Sequence, residues 1–430
     1  MATRRAAFLE DLFQSASNLR RCEAQLQDML RSRGILFGDG LLPTYAYAFI
    51  AGRGQIQRWA GQAELLIAAA EHLSRRLVAE PEFYRSMGLG RDAIELISVD
   101  PGYQRGCVLC RPDGIPSGAD LKFVELNCDS PAMMMFLDIV AECLFEMDAF
   151  ASFRAEARPA SAADMLLETL LACYAEYGGR DKAPTIAIVD WEAQKTRYEH
   201  MRLAEHFEAR GAPTIVCDPR AFQLVDGELR INGRRVDLVY RRTLASEIIA
   251  RQTEVEPLLR AYRDGKVCMV NPMRSYLAGV KSVLSQIAMS RDLPLALSGA
   301  ANLVPRTLLL DNQDARDTVK ESPTRWALKK SESHAGMNVI LPGVSTQSAW
   351  ADAMEASRRE VWIAQEYLEV PTMELPEVEG ESVAWNHKYY NWNPFVFGGR
   401  YAGGLVRVSS TPLINITLGG GLMPTFTKEP

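Results

Sequence analysis

The sequence predicts a mixed α/β and α+β chain built from several units, and three observations carry that prediction. Residues 1–100 follow helical periodicity, residues 185–218 read as strand, helix and strand, and the chain from about residue 325 onward is rich in strands. With 430 residues, the chain has room for about two or three domains.

Taken in order, apolar Leu9, Leu12, Phe13, Ala16 and Leu19 fall at helical spacing within residues 5–30. Arginines followed early by Glu10 and Asp11, with no apolar core, predict an amphipathic helix rather than a secretory leader. A second helix is expected over residues 55–77. Residues 121–126 read as a strand running into NCDSP, and helices follow over 132–150 and 161–177. TIAIVD (185–190), a helical stretch (193–210) and TIVCD (214–218) make a β-α-β unit, the mark of a parallel sheet. Asp226-Gly227 predicts a hairpin turn. A strand over 236–240 and helices over 246–263 and 276–289 come next. WALKK, VWIAQEYL, FVFGG and GLVRV read as strands. The expected units are 1–100 (helical), 101–180, 181–265 (β-α-β) and 266–430.

Composition excludes several classes. Hydrophobic residues make up 47% and charged residues 24%, the balance of an ordinary soluble protein. A net charge of -6 argues against a nucleic-acid partner. No apolar run reaches the roughly 18 residues of a membrane span. Among eight cysteines, Cys107 and Cys110 form a lone C-x-x-C on a strand-like segment without a second pair. Reduced thiols in a cytoplasmic protein are the expectation. A phosphate loop of the G-x-x-x-x-G-K-[ST] kind, G-x-G-x-x-G, G-x-S-x-G and H-E-x-x-H are all absent.

What remains is a set of polar residues at strand edges. In Lys122-Phe123-Val124-Glu125-Leu126-Asn127, alternation puts Glu125 and Asn127 on one face. A carboxylate and an amide oxygen together suit Mg²⁺, and Asp113, just after Arg111, could close the site from a neighbouring strand. An ordinary exposed strand face is the alternative. Trp326-Ala327-Leu328-Lys329-Lys330 runs into the polar loop SESHAGMN, where a lysine and backbone N–H groups can hold phosphate, or simply face solvent. Lys281 on its own reads as a solvated helix lysine. The strand ending at Gln365 could present its edge to a heterocycle. Arg241 and Arg242 end a strand and suit either an anionic substrate group or a salt bridge.

In order, these pieces resemble the synthetase part of glutathionylspermidine synthase and its circularly permuted ATP-grasp relatives, over about residues 105–423. RPD followed by FVELNCDSP is similar to that family's magnesium block. The resemblance implies Asp113, Glu125 and Asn127 as Mg²⁺ ligands and Arg111 on the transferred phosphate. NPMRSYLAGVKSVL resembles its Asn-Pro…Lys helix, which implies Lys281 near the phosphates. ALKKSESHAGMNV resembles its phosphate loop, implying Lys329 and the backbone of Ser333 to Gly336 over the triphosphate. WIAQEYLEVP is similar to its adenine hinge, implying Gln365 and then Glu366, Tyr367 and Leu368. The segment around Arg407 resembles its C-terminal sheet and implies that Arg407 meets the acyl phosphate or its carboxylate. Lys330 stands where the family has Pro, and His334 where it has Arg.

The resemblance therefore implies a permuted ATP-grasp fold with an inserted β-α-β domain. It further implies an ATP- and Mg²⁺-dependent carboxylate–amine ligase working through an acyl phosphate on a small molecule or peptide. A nucleotide-binding protein without ligase activity and a phosphotransferase on the same fold are the alternatives. No nucleic-acid or membrane partner is expected, and the oligomeric state stays open.

Overall fold

The computed structural model describes residues 13–80, 89–155, 157–158, 161–289, 293–333, 337–416 and 419–428. The chain opens with α1 (Ala16–Ser32), whose Ala16, Leu19, Cys22, Leu26 and Leu30 are buried at helical spacing. Phe13 is also buried, while Leu9 and Leu12 lie outside the described residues. Then come β1 (Phe49–Gly52), the long α2 (Arg53–Ala79) and the hairpin β2 (Leu109–Ser117) and β3 (Asp120–Asn127). After α3 (Met134–Glu146) follow β4 (Ile186–Val189), α4 (Arg197–Ala209), β5 (Thr214–Cys217), β6 (Leu238–Arg241) and β7 (Cys268–Val270). The last part holds β8 (Thr307–Leu309), β9 (Trp326–Lys330), β10 (Val339–Ile340) and β11 (Trp362–Glu366). It ends with β12 (Thr372–Glu379), β13 (Ser382–Phe397), β14 (Arg400–Ser409) and β15 (Gly421–Lys428).

These strands make three larger sheets. The first runs β1-β15-β14-β13-β2-β3, with β12 also against β13. The second is the parallel sheet β7-β6-β4-β5, the β-α-β region of the sequence. The third is β8-β11-β9-β10, antiparallel throughout. No described helix is long and apolar enough to cross a membrane.

Two hydrophobic clusters underlie this arrangement. A large one unites the first two sheets with α1, α2 and α3. A small, separate one under the third sheet contains Val319, Trp326, Leu328, Met354, Trp362 and Ala364. The third sheet therefore meets the body across a seam that the main core does not fill.

Two expected helices are broken, each for a local reason. The stretch 246–263 divides into Ala245–Ala250 and Glu256–Arg263, with Pro257 in the first turn of the second, where its missing N–H costs no helical bond. The stretch 276–289 divides into Tyr276–Gly279 and Ser282–Met289 because Val280 is extended. At the break the Lys281 amide bonds the Ser331 carbonyl at 3.1 Å, and the side chain turns inward.

A buried polar clamp fixes the parallel sheet to the β2–β3 hairpin. Arg241 at the end of β6 is 0% exposed and Asp129 is 5% exposed, and they pair at 2.5 Å. Asp129 also accepts the Ala245 amide at 2.7 Å. Asn271 bonds the Leu109 amide and the carbonyls of Leu109, Cys128 and Asp129. Arg241 is thus a salt-bridge residue. Removing Asp129 strands a buried guanidinium. Asp129→Ala is expected to lower unfolding free energy by about 3–5 kcal/mol in denaturant titration. Asp28→Ala, from the exposed Asp28–Arg31 pair at 2.7 Å, should change it by less than about 0.5 kcal/mol.

Candidate active site

Between the first and third sheets lies a cavity of about 330 Å³. Its charged lining comes from strands far apart in sequence. In the β2–β3 hairpin, Arg111 faces Asn127 and Asp113 faces Glu125 in register. A bulge after Asp113 shifts the register so that Gly114 faces Phe123. A Cβ at Gly114 would stand 2.7 Å from the Trp392 carbonyl, so only glycine allows β13 to approach there. Two carboxylates directly opposite each other repel. Here each has its own cation: Arg407 donates to Asp113 at 2.5 Å, and Lys281 pairs with Glu125 at 3.0 Å.

The two lysines are unusually dry. Lys281 is 4% exposed and Lys329 is 7% exposed. Lys281 also donates to the Ser333 carbonyl. Lys329 reaches from the third sheet across the seam, donating to the Val124 carbonyl at 2.9 Å and to Gln365 Oε1 at 2.7 Å. Burial draws the Lys329 ammonium down to about 8 against the opposing pull of Glu125. Burial alone would raise Glu125, but Lys281, Lys329 and Arg407 more than reverse it and bring the carboxyl to about 2.

Placement of the remaining sequence candidates is uneven. Arg111, Asp113, Glu125, Asn127, Lys281, Lys329, Gln365, Glu366, Tyr367, Leu368 and Arg407 all line the cavity. Ser333 is buried behind Lys281 and does not line it. Gly336 and His334 lie outside the described residues. Lys330 points the other way along β9 and pairs with Glu360 at 2.9 Å. At the end of β11 the Glu366 and Tyr367 amides already bond the carbonyls of Arg306 and Arg325. Among the described residues the Leu368 amide carries no such backbone bond. Glu366 itself pairs with Arg325 at 2.9 Å. Arg242 is buried, bonding the Pro131 carbonyl and His200, so neither strand-end arginine faces the cavity.

Asn391 is a site residue that sequence reading missed. It lies opposite Arg407 in register and accepts the Arg407 Nε at 3.3 Å, and it lines the cavity. The signal was present: Asn391 and Asn393 alternate with Trp392 at the start of a buried run.

Among the described residues no group of three or more His, Cys, Asp or Glu side chains could form a metal cage. Two carboxylates and one amide oxygen are what Mg²⁺ uses when substrate phosphates complete its shell. The Asn127 amide nitrogen donates to the Arg111 carbonyl and to Asp113, which leaves its oxygen for a ligand. The residues fit. All eight cysteines are free thiols, seven of them buried.

No family model matches the sequence, and no curated protein matches it. Among solved structures, the apo form of a glutathione synthetase-like effector from Globodera pallida matches with a TM-score of 0.63 at 12% identity. The match covers 97% of this chain and 99% of that one. An ATP-grasp ligase, PsnB, in complex with a precursor peptide and AMPPNP matches with a TM-score of 0.32 at 14% identity, over 57% of this chain and 88% of its own. D-alanyl-alanine synthetase A from Vibrio cholerae matches with a TM-score of 0.30 at 11% identity, over 58% and 90%. The likeness to the effector is one of fold.

Glu125 gives this site a pH signature. Its carboxyl is depressed from 4.5 to about 2 in the folded chain. Its stabilisation is therefore complete above 4.5 and is lost as pH falls toward 2. Glu125→Gln in metal-free buffer is expected to cost roughly 3 kcal/mol at neutral pH, the gap to wild type closing as pH drops from 4.5 to 2. Chemical denaturation at stepped pH values reads this directly.

Proposed function

We propose that this chain is an ATP- and Mg²⁺-dependent carboxylate–amine ligase of the circularly permuted ATP-grasp kind. One observation carries the reading: two buried lysines, two carboxylates and two arginines from both sides of a seam line one cavity. So much charge in a dry place has a use when a polyanion binds there. The order of the blocks along the chain, with Asp113 and Glu125 before Lys281 and Lys329, supports the permuted reading.

The chemistry follows from the leaving group. A carboxylate oxygen does not leave on attack by an amine. The carboxylate first takes the γ-phosphoryl group of ATP, the bond from phosphorus to the ADP oxygen breaks, and an acyl phosphate forms. The amine nitrogen then attacks the acyl carbon, the bond to the phosphate oxygen breaks, and inorganic phosphate leaves while the nitrogen loses its proton to phosphate or water. Mg²⁺, held by Asp113, Glu125 and Asn127, would neutralise phosphate charge. Lys281 and Lys329 act as fixed point charges on the phosphates. Arg111 and Arg407 hold the carboxylate and stabilise the developing oxyanion with forked donors. The Leu368 amide offers a hydrogen bond to the base, and Val124, Ala327 and Val339 give that end of the cavity apolar walls.

The test is ADP release coupled to hydroxamate formation, with hydroxylamine as the amine and a panel of acids. Only an acyl phosphate gives a hydroxamate, so a phosphotransferase is told apart. Lys329→Met and Glu125→Gln are each expected to lower turnover by about a hundredfold or more while the protein stays folded. Full turnover in both variants contradicts the site assignment. With Lys329 near 8, kcat/KM should fall as pH rises above about 8, and Lys329→Arg should remove that limb.

A further inference from the structure

The charged groups occupy only part of the cavity wall. Every charged side chain lining it has been described above. The rest of the wall includes Phe37, Ala132, Met133, Thr196, Ile414 and Ile416, which carry no charge. These residues come from four places in the chain, and hydrogen bonds secure three of them. The Gly38 amide bonds the Lys195 carbonyl at 3.0 Å, which ties the Phe37 turn to the start of α4. Met133 adopts a left-handed backbone (φ 85°), unusual for a side chain of its size. Buried Glu199 secures it by accepting the amides of Met133 and Met135 at 3.1 and 3.2 Å.

The second observation is a donor without an acceptor. Arg111 is 9% exposed and lines the cavity next to this wall, its Nη1 donating to the Ala132 carbonyl at 2.9 Å. Its Nε is buried and has no hydrogen-bond partner among the described residues. The nearest carboxylate contact, Asp113 Oδ1 at 3.8 Å, is too long for a hydrogen bond. A buried guanidinium at a cavity edge whose donors are not all met favours an anion beside it.

We infer that the acid substrate is a monocarboxylic acid with an uncharged, apolar body. Its carboxylate pairs with the Arg111 guanidinium, and its aliphatic or aromatic body rests on Phe37, Met133, Ile414 and Ile416. This rests on the ligase reading and narrows its substrate. An acid with a second carboxylate or an ammonium on its body has to bring that charge against a wall whose polar residues there, Thr196 and Asn415, carry no charge, which selects against it.

Hydroxylamine as a generic amine isolates the acid site. Phenylpropionate and N-acetyl-leucine are compared with glutarate and glutathione by hydroxamate yield. The expected result is a kcat/KM for the apolar acids at least about tenfold above that of the charged ones. Ile414→Asp should lower the apolar-acid value about tenfold or more, and Ile414→Leu should keep it within about threefold. Thermal unfolding checks that both variants are folded. Equal or better use of glutarate or glutathione overturns the proposal and leaves the ligase reading standing. An Ile414→Asp enzyme as active as wild type on apolar acids overturns the wall assignment. No hydroxamate from any acid, with a nucleotide analogue bound, overturns the ligase reading and this proposal together.

Discussion

The structure turns on one cross-sheet contact. Lys329 leaves the third sheet and places its ammonium on the Val124 carbonyl of the first. Glu125, the next residue, takes Lys281. The small sheet has its own apolar cluster, separate from the main core. Polar contacts join the two along this seam: these two lysines, the Ser331 carbonyl on the Lys281 amide, and the Ser331–Ser282 hydroxyl pair at 2.9 Å. A hydrophobic seam would have closed and left no cavity. A charged seam keeps the cavity polar, and Glu125 offsets the like charges of its two lysines.

The parallel sheet braces one wall of the cavity. Its strand order reverses between β4 and β6, and in open α/β sheets ligands sit beyond the carboxyl ends of strands at such a point. Here protein groups fill that crevice. His200 lies 3.5 Å from Asp190, and Arg242 bonds both His200 and the Pro131 carbonyl. The same groups reach the cavity indirectly: Glu199 secures Met133, and Ser130 donates to the Arg242 carbonyl. The β-α-β unit thus acts as a buttress for one wall of the cavity. Arg241 and Asp129 fix that buttress to the hairpin that carries Arg111 and Asp113.

Much of the site was legible because strand alternation is a strict rule. Glu125 and Asn127 share a face whatever the rest of the fold does, and the short link between β2 and β3 puts Asp113 opposite Glu125. Lys281 was less legible. Periodicity runs unbroken through Val280, and only the tertiary bond from the Lys281 amide to Ser331 shows that the helix stops there. Without the resemblance, a solvated lysine was the natural reading. Asn391 was visible as a polar residue in a buried strand, but its partner Arg407 is set by register, which sequence alone does not fix. Met133 and Phe37 could not be read at all. Their roles depend on Glu199 and on the start of α4, residues distant in sequence. The hinge was legible in outline only, since which of its amides stays open depends on Arg306 and Arg325.

The central claim is that this charged seam is a metal–nucleotide site. Calorimetric titration of the whole chain with a non-hydrolysable ATP analogue, with and without Mg²⁺, tests it most directly. The account predicts Mg²⁺-dependent binding that is lost in Glu125→Gln. A folded wild-type protein that binds no analogue at any Mg²⁺ concentration would contradict it.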